Sequence, residues 1–437
     1  MIRFALLLTL GLFSAVAARA EVNIQDVTTP SGIKAWLVED HSIPFTALEI
    51  RFRGGTSLDA PGKRGGIYLM TALLEEGAGD LDARAFARTR EELAASYGYS
   101  VGDDDLSVSA RFLTENRDQA VELLRKSINE PRFDQDAVDR VRGQVLSGLA
   151  SDAKDPDDIA SEAFAAQIFG DHPYGTPGKG TIDSVSALTR DDMVAAHDAV
   201  FARDRVYVGA VGDITPEDLG RIVDELLADL PETGAPMPGP ADLHVEGGTT
   251  VIPFDTPQST ALFGQPGMQR DDPDFFAAML AMHILGGSGE SRLMQEVRVK
   301  RGLTYGVYGY LAPKDLAAIV VGRVASANDR IAEAIDVIRD EWARIAEDGV
   351  TEDELQDAKT YLTGAYPLRF KGNGRIAGIL VGMQMEGLPI DYAATRNDKV
   401  NAVTLDDVNR VAAELFRPED LHFVVVGEPV GIDPDTN

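Results

Sequence analysis

Residues 188–212, laid without a gap on residues 403–427, place Thr189 on Thr404, Asp191-Asp192 on Asp406-Asp407, Phe201 on Phe416 and Val211-Gly212 on Val426-Gly427. Each segment reads as a helix whose threonine N-cap can accept from a first-turn backbone N–H, running into a short apolar strand that stops at glycine. A weaker echo relates the helix after Asn116 to the helix after Asn328 at nearly the same offset. A helix-strand unit repeated across the chain constrains it to two similar halves. Residues 231–248, dense in proline and glycine and without apolar period, read as the linker between them. The 437 residues suit two domains of about 200 each.

Apolar alternation predicts strands at 47–53, 106–112, 206–211, 259–263, 317–324 and 422–426, with two short strands about Ser31-Gly32. Helical spacing predicts helices at 65–76, 83–97, 117–128, 134–150, 157–169 and 190–201. In the second half it predicts them at 274–285, 329–347, 353–366, 375–386 and 405–416. The pattern is α+β. The expected architecture is two α/β-sandwich-like halves, each an antiparallel-rich sheet with helices packed on it, spanning 21–230 and 249–437 and joined as a clamshell.

Residues 1–20 carry a basic Arg3, an apolar run and the small-x-small triplet Ala18-Arg19-Ala20, the pattern of a secretory signal cleaved after Ala20. That run is shorter than a spanning helix requires, so stable membrane insertion is not expected. The chain holds no cysteine, which leaves no disulfide framework and no thiolate metal site, and a bacterial periplasm is the expected compartment. A net charge of -30 disfavours nucleic acid as a partner, because phosphate backbones would be repelled.

The six histidines are too dispersed for His-Glu-x-x-His or its inverse, so neither helical zinc motif is present. No Gly-x-Ser-x-Gly elbow occurs, and Gly178-Lys179-Gly180-Thr181 is not a phosphate loop, since Gly180 separates the lysine from the threonine. Residues 286–310 combine a glycine turn, a charged helix stopped at Gly302, and an aromatic, Tyr305, expected at the start of a strand. From the residues alone, Arg298, Lys300 and Arg301 could simply offset a helix dipole while Tyr305 packs in a sheet, and Gly286–Gly289 could be a plain turn.

Within that stretch, Leu285-Gly286-Gly287, Ser291-Arg292-Leu293, Glu296, Arg298, Arg301-Gly302-Leu303 and Tyr305 resemble the second-half signature of the pitrilysin/insulinase family of zinc peptidases. The branch is that of mitochondrial processing peptidase and small paired bacterial peptidases. Asp155-Pro156, residues 170–175, Gly180-Thr181 and Val211-Gly212-Asp213 resemble first-half landmarks in the same order, so the likeness spans nearly the whole mature chain.

The resemblance implies a zinc site of two histidines and a distal glutamate, with the motif's own glutamate activating water. Alignment through Gly77 puts Tyr68, Thr71 and Ala72 where His, Glu and His belong, and Gly148 where the distal glutamate belongs. This chain alone is therefore not expected to be a zinc peptidase and should carry no metal or other cofactor. The resemblance further implies that Arg298 and Tyr305, seven residues apart, help position a peptide substrate and stabilise charge on its carbonyl in the site of a homologous zinc-bearing partner. The expected function is the non-catalytic subunit of a heterodimeric, exported metalloendopeptidase. The alternative is a peptidase-derived scaffold or peptide-binding protein without a proteolytic partner.

Overall fold

The computed structural model describes residues 23–432; the signal-like segment 1–20 lies outside them. The first half contains β1 (Gln25–Thr28), β2 (Lys34–Glu39), β3 (Phe45–Arg53), β4 (Gly77–Ala78), β5 (Leu81–Asp82), β6 (Ser96–Val101), β7 (Asp105–Leu113) and β8 (Val206–Gly212). The second contains β9 (Gly248–Pro253), β10 (Gln258–Pro266), β11 (Val307–Lys314), β12 (Ala317–Ala327) and β13 (His422–Gly427). β4 and β5 form a small ribbon of their own. The other strands make two sheets, ordered β1-β2-β8-β3-β7-β6 and β11-β12-β10-β13-β9.

Read from opposite ends, the two orders are one. β2 and β9 pair in parallel with β8 and β13, and β3 and β10 run antiparallel to those same strands. The duplication first visible in residues 188–212 and 403–427 thus extends to five strands of each sheet. Its capped helices are also as expected. Thr189 and Asp192, like Thr404 and Asp407, exchange side chain-to-backbone hydrogen bonds at the starts of helices Arg190–Val200 and Leu405–Leu415. Phe201, which follows the first, sits edge-on to Phe52 at 4.8 Å; its counterpart Phe416 sits edge-on to Trp342 at 5.3 Å.

Each half lends a helix to the other. Helix Pro156–Phe169 packs on β10 and β13, and helix Asn373–Met385 packs on β3 and β8. Glycine makes both contacts close: a Cβ on Gly264 would lie 2.7 Å from the Phe164 ring, and one on Gly209 would lie 2.8 Å from the Ala377 carbonyl oxygen. The arrangement is consistent with a clamshell whose halves are interlocked. The proline-rich connection runs over the surface between them, tied by Ala241 N–H to the Leu316 carbonyl (2.8 Å) and His244 N–H to the Ile168 carbonyl (2.9 Å).

Several elements differ from the sequence expectation. The helix predicted over 65–76 is Gly66–Ala72, because the Leu73 and Leu74 N–H groups turn to carbonyls only three residues back and Gly77 enters the ribbon at φ 114°. The helix predicted over 83–97 ends at Glu92, after which Ala94 takes φ 49° and Ser96 starts β6. Helices Pro216–Leu227 and Tyr392–Ala402 and strand β9 are additions. Among the described residues no helix is long and apolar enough to cross a membrane.

Candidate functional site

The apolar helix Phe275–Gly286 ends against β11, where a Cβ on Gly286 would come within 2.9 Å of the Gly309 nitrogen. From there the chain turns through Ser288 to Glu290 and re-enters the core at Ser291 and Leu293, both buried. Between them Arg292 forks onto Glu354 with two bonds of 2.8 Å and donates a third, of 2.9 Å, to the Gly349 carbonyl. This bidentate pair fixes where the following turns begin.

Those turns, Met294–Lys300, are π-helical, a wide winding that recurs at functional sites. Glu296 is buried and takes both Lys300 (2.5 Å) and Arg301 (2.7 Å). These bonds hold the Glu296 carboxyl below the usual carboxylate range. Gly302 reverses the chain at φ 60°, and its N–H donates to the Arg298 carbonyl at 2.9 Å. Thr304 then donates to the Ala325 carbonyl at 2.7 Å and accepts from the Gly306 N–H at 3.1 Å, so the loop is fastened on both sides of Tyr305.

What remains unfastened are the two side chains that the sequence singled out. Arg298 is exposed and, among the described residues, has no carboxylate partner, whereas its neighbours Lys300 and Arg301 share Glu296. Tyr305 is 87% exposed. The strand expected to start at Tyr305 starts at Val307, so this ring belongs to the tethered loop and is not a packed strand aromatic. A guanidinium and a phenol are therefore offered to solvent from a braced backbone, and both can donate to a carbonyl oxygen.

The four positions that the resemblance aligned with a zinc site, Tyr68, Thr71, Ala72 and Gly148, supply no histidine and no carboxylate. Thr71 is buried and donates its hydroxyl back to the Ile67 carbonyl at 2.7 Å; Tyr68 is half-buried and Ala72 exposed. Gly148 is exposed on helix Gln135–Asp152, with open space where a side chain would begin. Zinc does not fit these residues. Among the described residues no group of three metal-ligating side chains is assembled. The histidines lie apart: His197 meets the Ile128 carbonyl at 2.7 Å, His422 bridges the Gly247 carbonyl and Gln167 at 2.6 Å each, and His283 stacks on Tyr361.

Sequence reasoning passed over the residues that hold the degenerate helix. Asp59 accepts from Gly65 N–H (2.9 Å) and Ile67 N–H (2.8 Å), while Arg64 reaches the Pro173 and Thr176 carbonyls at 2.8 Å each. Burial pushes the Asp59 carboxyl up to about 6. The available signal was an aspartate shortly before a helix start. It stands six residues ahead of Gly65, too far for a capping pattern to identify.

Residues 34–181 match the family model described as Insulinase (Peptidase family M16), and residues 187–362 match Peptidase M16 inactive domain. An uncharacterized zinc protease of Mycobacterium bovis is 30% identical over 307 residues, 68% of this chain and 69% of its own. This chain belongs to the insulinase family, peptidase family M16. A Helicobacter pylori protein named non-peptidase homolog YmxG is 27% identical over 97% of this chain and 98% of its own. The crystal structure of a peptidase M16 inactive domain from Pseudomonas fluorescens superposes with a TM-score of 0.87 at 29% identity, covering 94% of this chain and 99% of that one. Within the family, this chain is an inactive peptidase-like homologue with the M16 fold.

Proposed function

We propose that this chain is the exported, non-catalytic subunit of a two-chain M16 metalloendopeptidase, with a homologous partner supplying zinc. Arg298 and Tyr305 reach into the partner's site, orient the peptide and donate hydrogen bonds to the carbonyl oxygen as it gains charge. The observation that carries this reading is the contrast between the two candidate regions. The positions that the resemblance aligned with the zinc site carry no histidine and no carboxylate, while the loop bearing Arg298 and Tyr305 is braced by Arg292–Glu354, Glu296–Arg301 and Thr304 and leaves both side chains free.

The test is reconstitution of the mature chain with an exported homologue that retains His-x-x-Glu-His, sought first beside its gene. Arg298→Ala and Tyr305→Phe are expected each to lower kcat for peptide cleavage by the pair about 100-fold, the loss typical of one oxyanion donor. Cleavage left unchanged by both substitutions in an intact complex would sink the shared-site role.

A further inference from the structure

In a chain this acidic, one cavity is lined by cations. It has a volume of about 610 Å³ and lies where Arg51 of β3 faces the helices of the second half. Arg270, Arg369, Arg375 and Arg396 also line it, against one carboxylate, Glu386. Arg51 is paired with Glu49 at 3.0 Å; among the described residues the other four arginines have no carboxylate partner.

Arg396 is the telling member. It is only 7% exposed, and its guanidinium donates to neutral acceptors alone, the Leu362 carbonyl (3.0 Å), Asn397 Oδ1 (3.2 Å) and the Met279 sulfur (3.7 Å), while lying 4.5 Å over the Tyr366 ring. Burial pulls its pKa downward, the mark of a desolvated cation whose countercharge is missing. Arg270 is held beside it, 4.3 Å from the Phe275 ring and hydrogen-bonded to the Tyr392 hydroxyl.

The apolar wall and the floor add an independent sign. Met279, Ile379, Met383 and Leu388 line the cavity, and methionine adapts to side chains of varied shape. Gly378 and Gly382 stand four apart on the face of helix Asn373–Met385 turned to the cavity, while Ala377, Leu380 and Val381 face the first sheet. A Cβ on Gly382 would meet nothing within 4 Å, and one on Gly378 only Arg51 Nη2 at 3.9 Å. The chain's own packing does not require these helix-weakening glycines. They leave a bare strip along which another backbone can lie.

We infer that this cavity binds the C-terminal end of a peptide, its carboxylate among Arg270, Arg375 and Arg396 and its last apolar side chain against the methionines. Planar guanidinium groups grip a carboxylate bidentately, and the cavity has the size of a small-ligand site. The inference needs no zinc-bearing partner, so its failure would leave the subunit reading standing.

The experiment measures binding to the intact mature chain by fluorescence anisotropy, using an N-terminally dye-labelled apolar tetrapeptide as the free acid and as the C-terminal amide. The acid should bind saturably and the amide about tenfold more weakly, the loss of one charge-assisted contact. Arg369→Glu with Arg375→Glu, both exposed positions, and Gly382→Leu, which fills open space, should each weaken the acid by a similar factor without lowering the thermal unfolding temperature. No saturable binding, equal binding of acid and amide, or indifference to both variants overturns the proposal. Displacement of the peptide by inorganic phosphate at equal concentration overturns the peptide assignment.

Discussion

Glu354 and Asp59 set opposite pH dependences on the two halves. Burial opposes ionisation of Glu354, but the Arg292 fork and the Thr351 backbone N–H prevail and bring its carboxyl to about 2. Lying below the unfolded value, this pKa adds stability that is complete above pH 4.5 and is lost as pH falls through about 2. Discounted for partial exposure, Glu354→Gln should lower stability at neutral pH by about 2 kcal/mol in urea unfolding. Asp59 behaves in the reverse sense. Its folded pKa of about 6 lies above the ordinary 3.8, so the folded chain holds that proton more tightly and loses stability as pH rises through 6. Asp59→Asn should remove about 2–3 kcal/mol of the fall in stability between pH 4 and 7, read as the difference between variant and parent urea midpoints. At this scale the sequence was legible where a residue is missing or stands in a fixed pattern. The absent histidine pair, the capping threonines and the Arg298–Tyr305 spacing needed no coordinates. The loneliness of Arg396 and the capping by Asp59 are relations through space, and no spacing encodes them.

At the level of elements, the two exchanged helices dock against bare glycines of the opposite sheets. Gly264→Val would drive a side chain into the Val320 carbonyl and Phe164, and Gly209→Val would drive one into the Ala377 backbone, so each should cost about 1–3 kcal/mol in thermal or urea unfolding. Gly382→Ala lies on the same helix as Ala377 but faces open space. It should instead stabilise by roughly 1 kcal/mol, the ordinary gain of alanine over glycine in a helix interior. Strands with clean alternation, such as β7 and β12, were readable. Helix Tyr392–Ala402 was not, because its buried residues are Tyr392, Arg396 and Val400, and an arginine in the middle hides the apolar face. The π-helical turn of Met294–Lys300 was likewise invisible, since composition does not distinguish a wide turn from an ordinary one.

As a whole molecule, the chain is two copies of one sheet topology, each partly roofed by the other's helix. Neither sheet is fully covered without its neighbour, so calorimetry of residues 21–437 should give one cooperative transition. Two separated transitions would mean the exchange contributes little. The repeat made the duplication readable, yet the exchange was not, because helix Pro156–Phe169 belongs to the first half in sequence while packing on the second. The central claim is that an M16 fold without zinc ligands works through another chain's metal. Its most direct measurement is bound zinc and peptide cleavage for the pure chain, then for the same chain mixed with the His-x-x-Glu-His homologue. We expect no stoichiometric zinc and no cleavage from the pure chain, and cleavage by the mixture beyond that of the homologue alone. Stoichiometric zinc with cleavage by the pure chain, or a homologue fully active without it, would contradict the account.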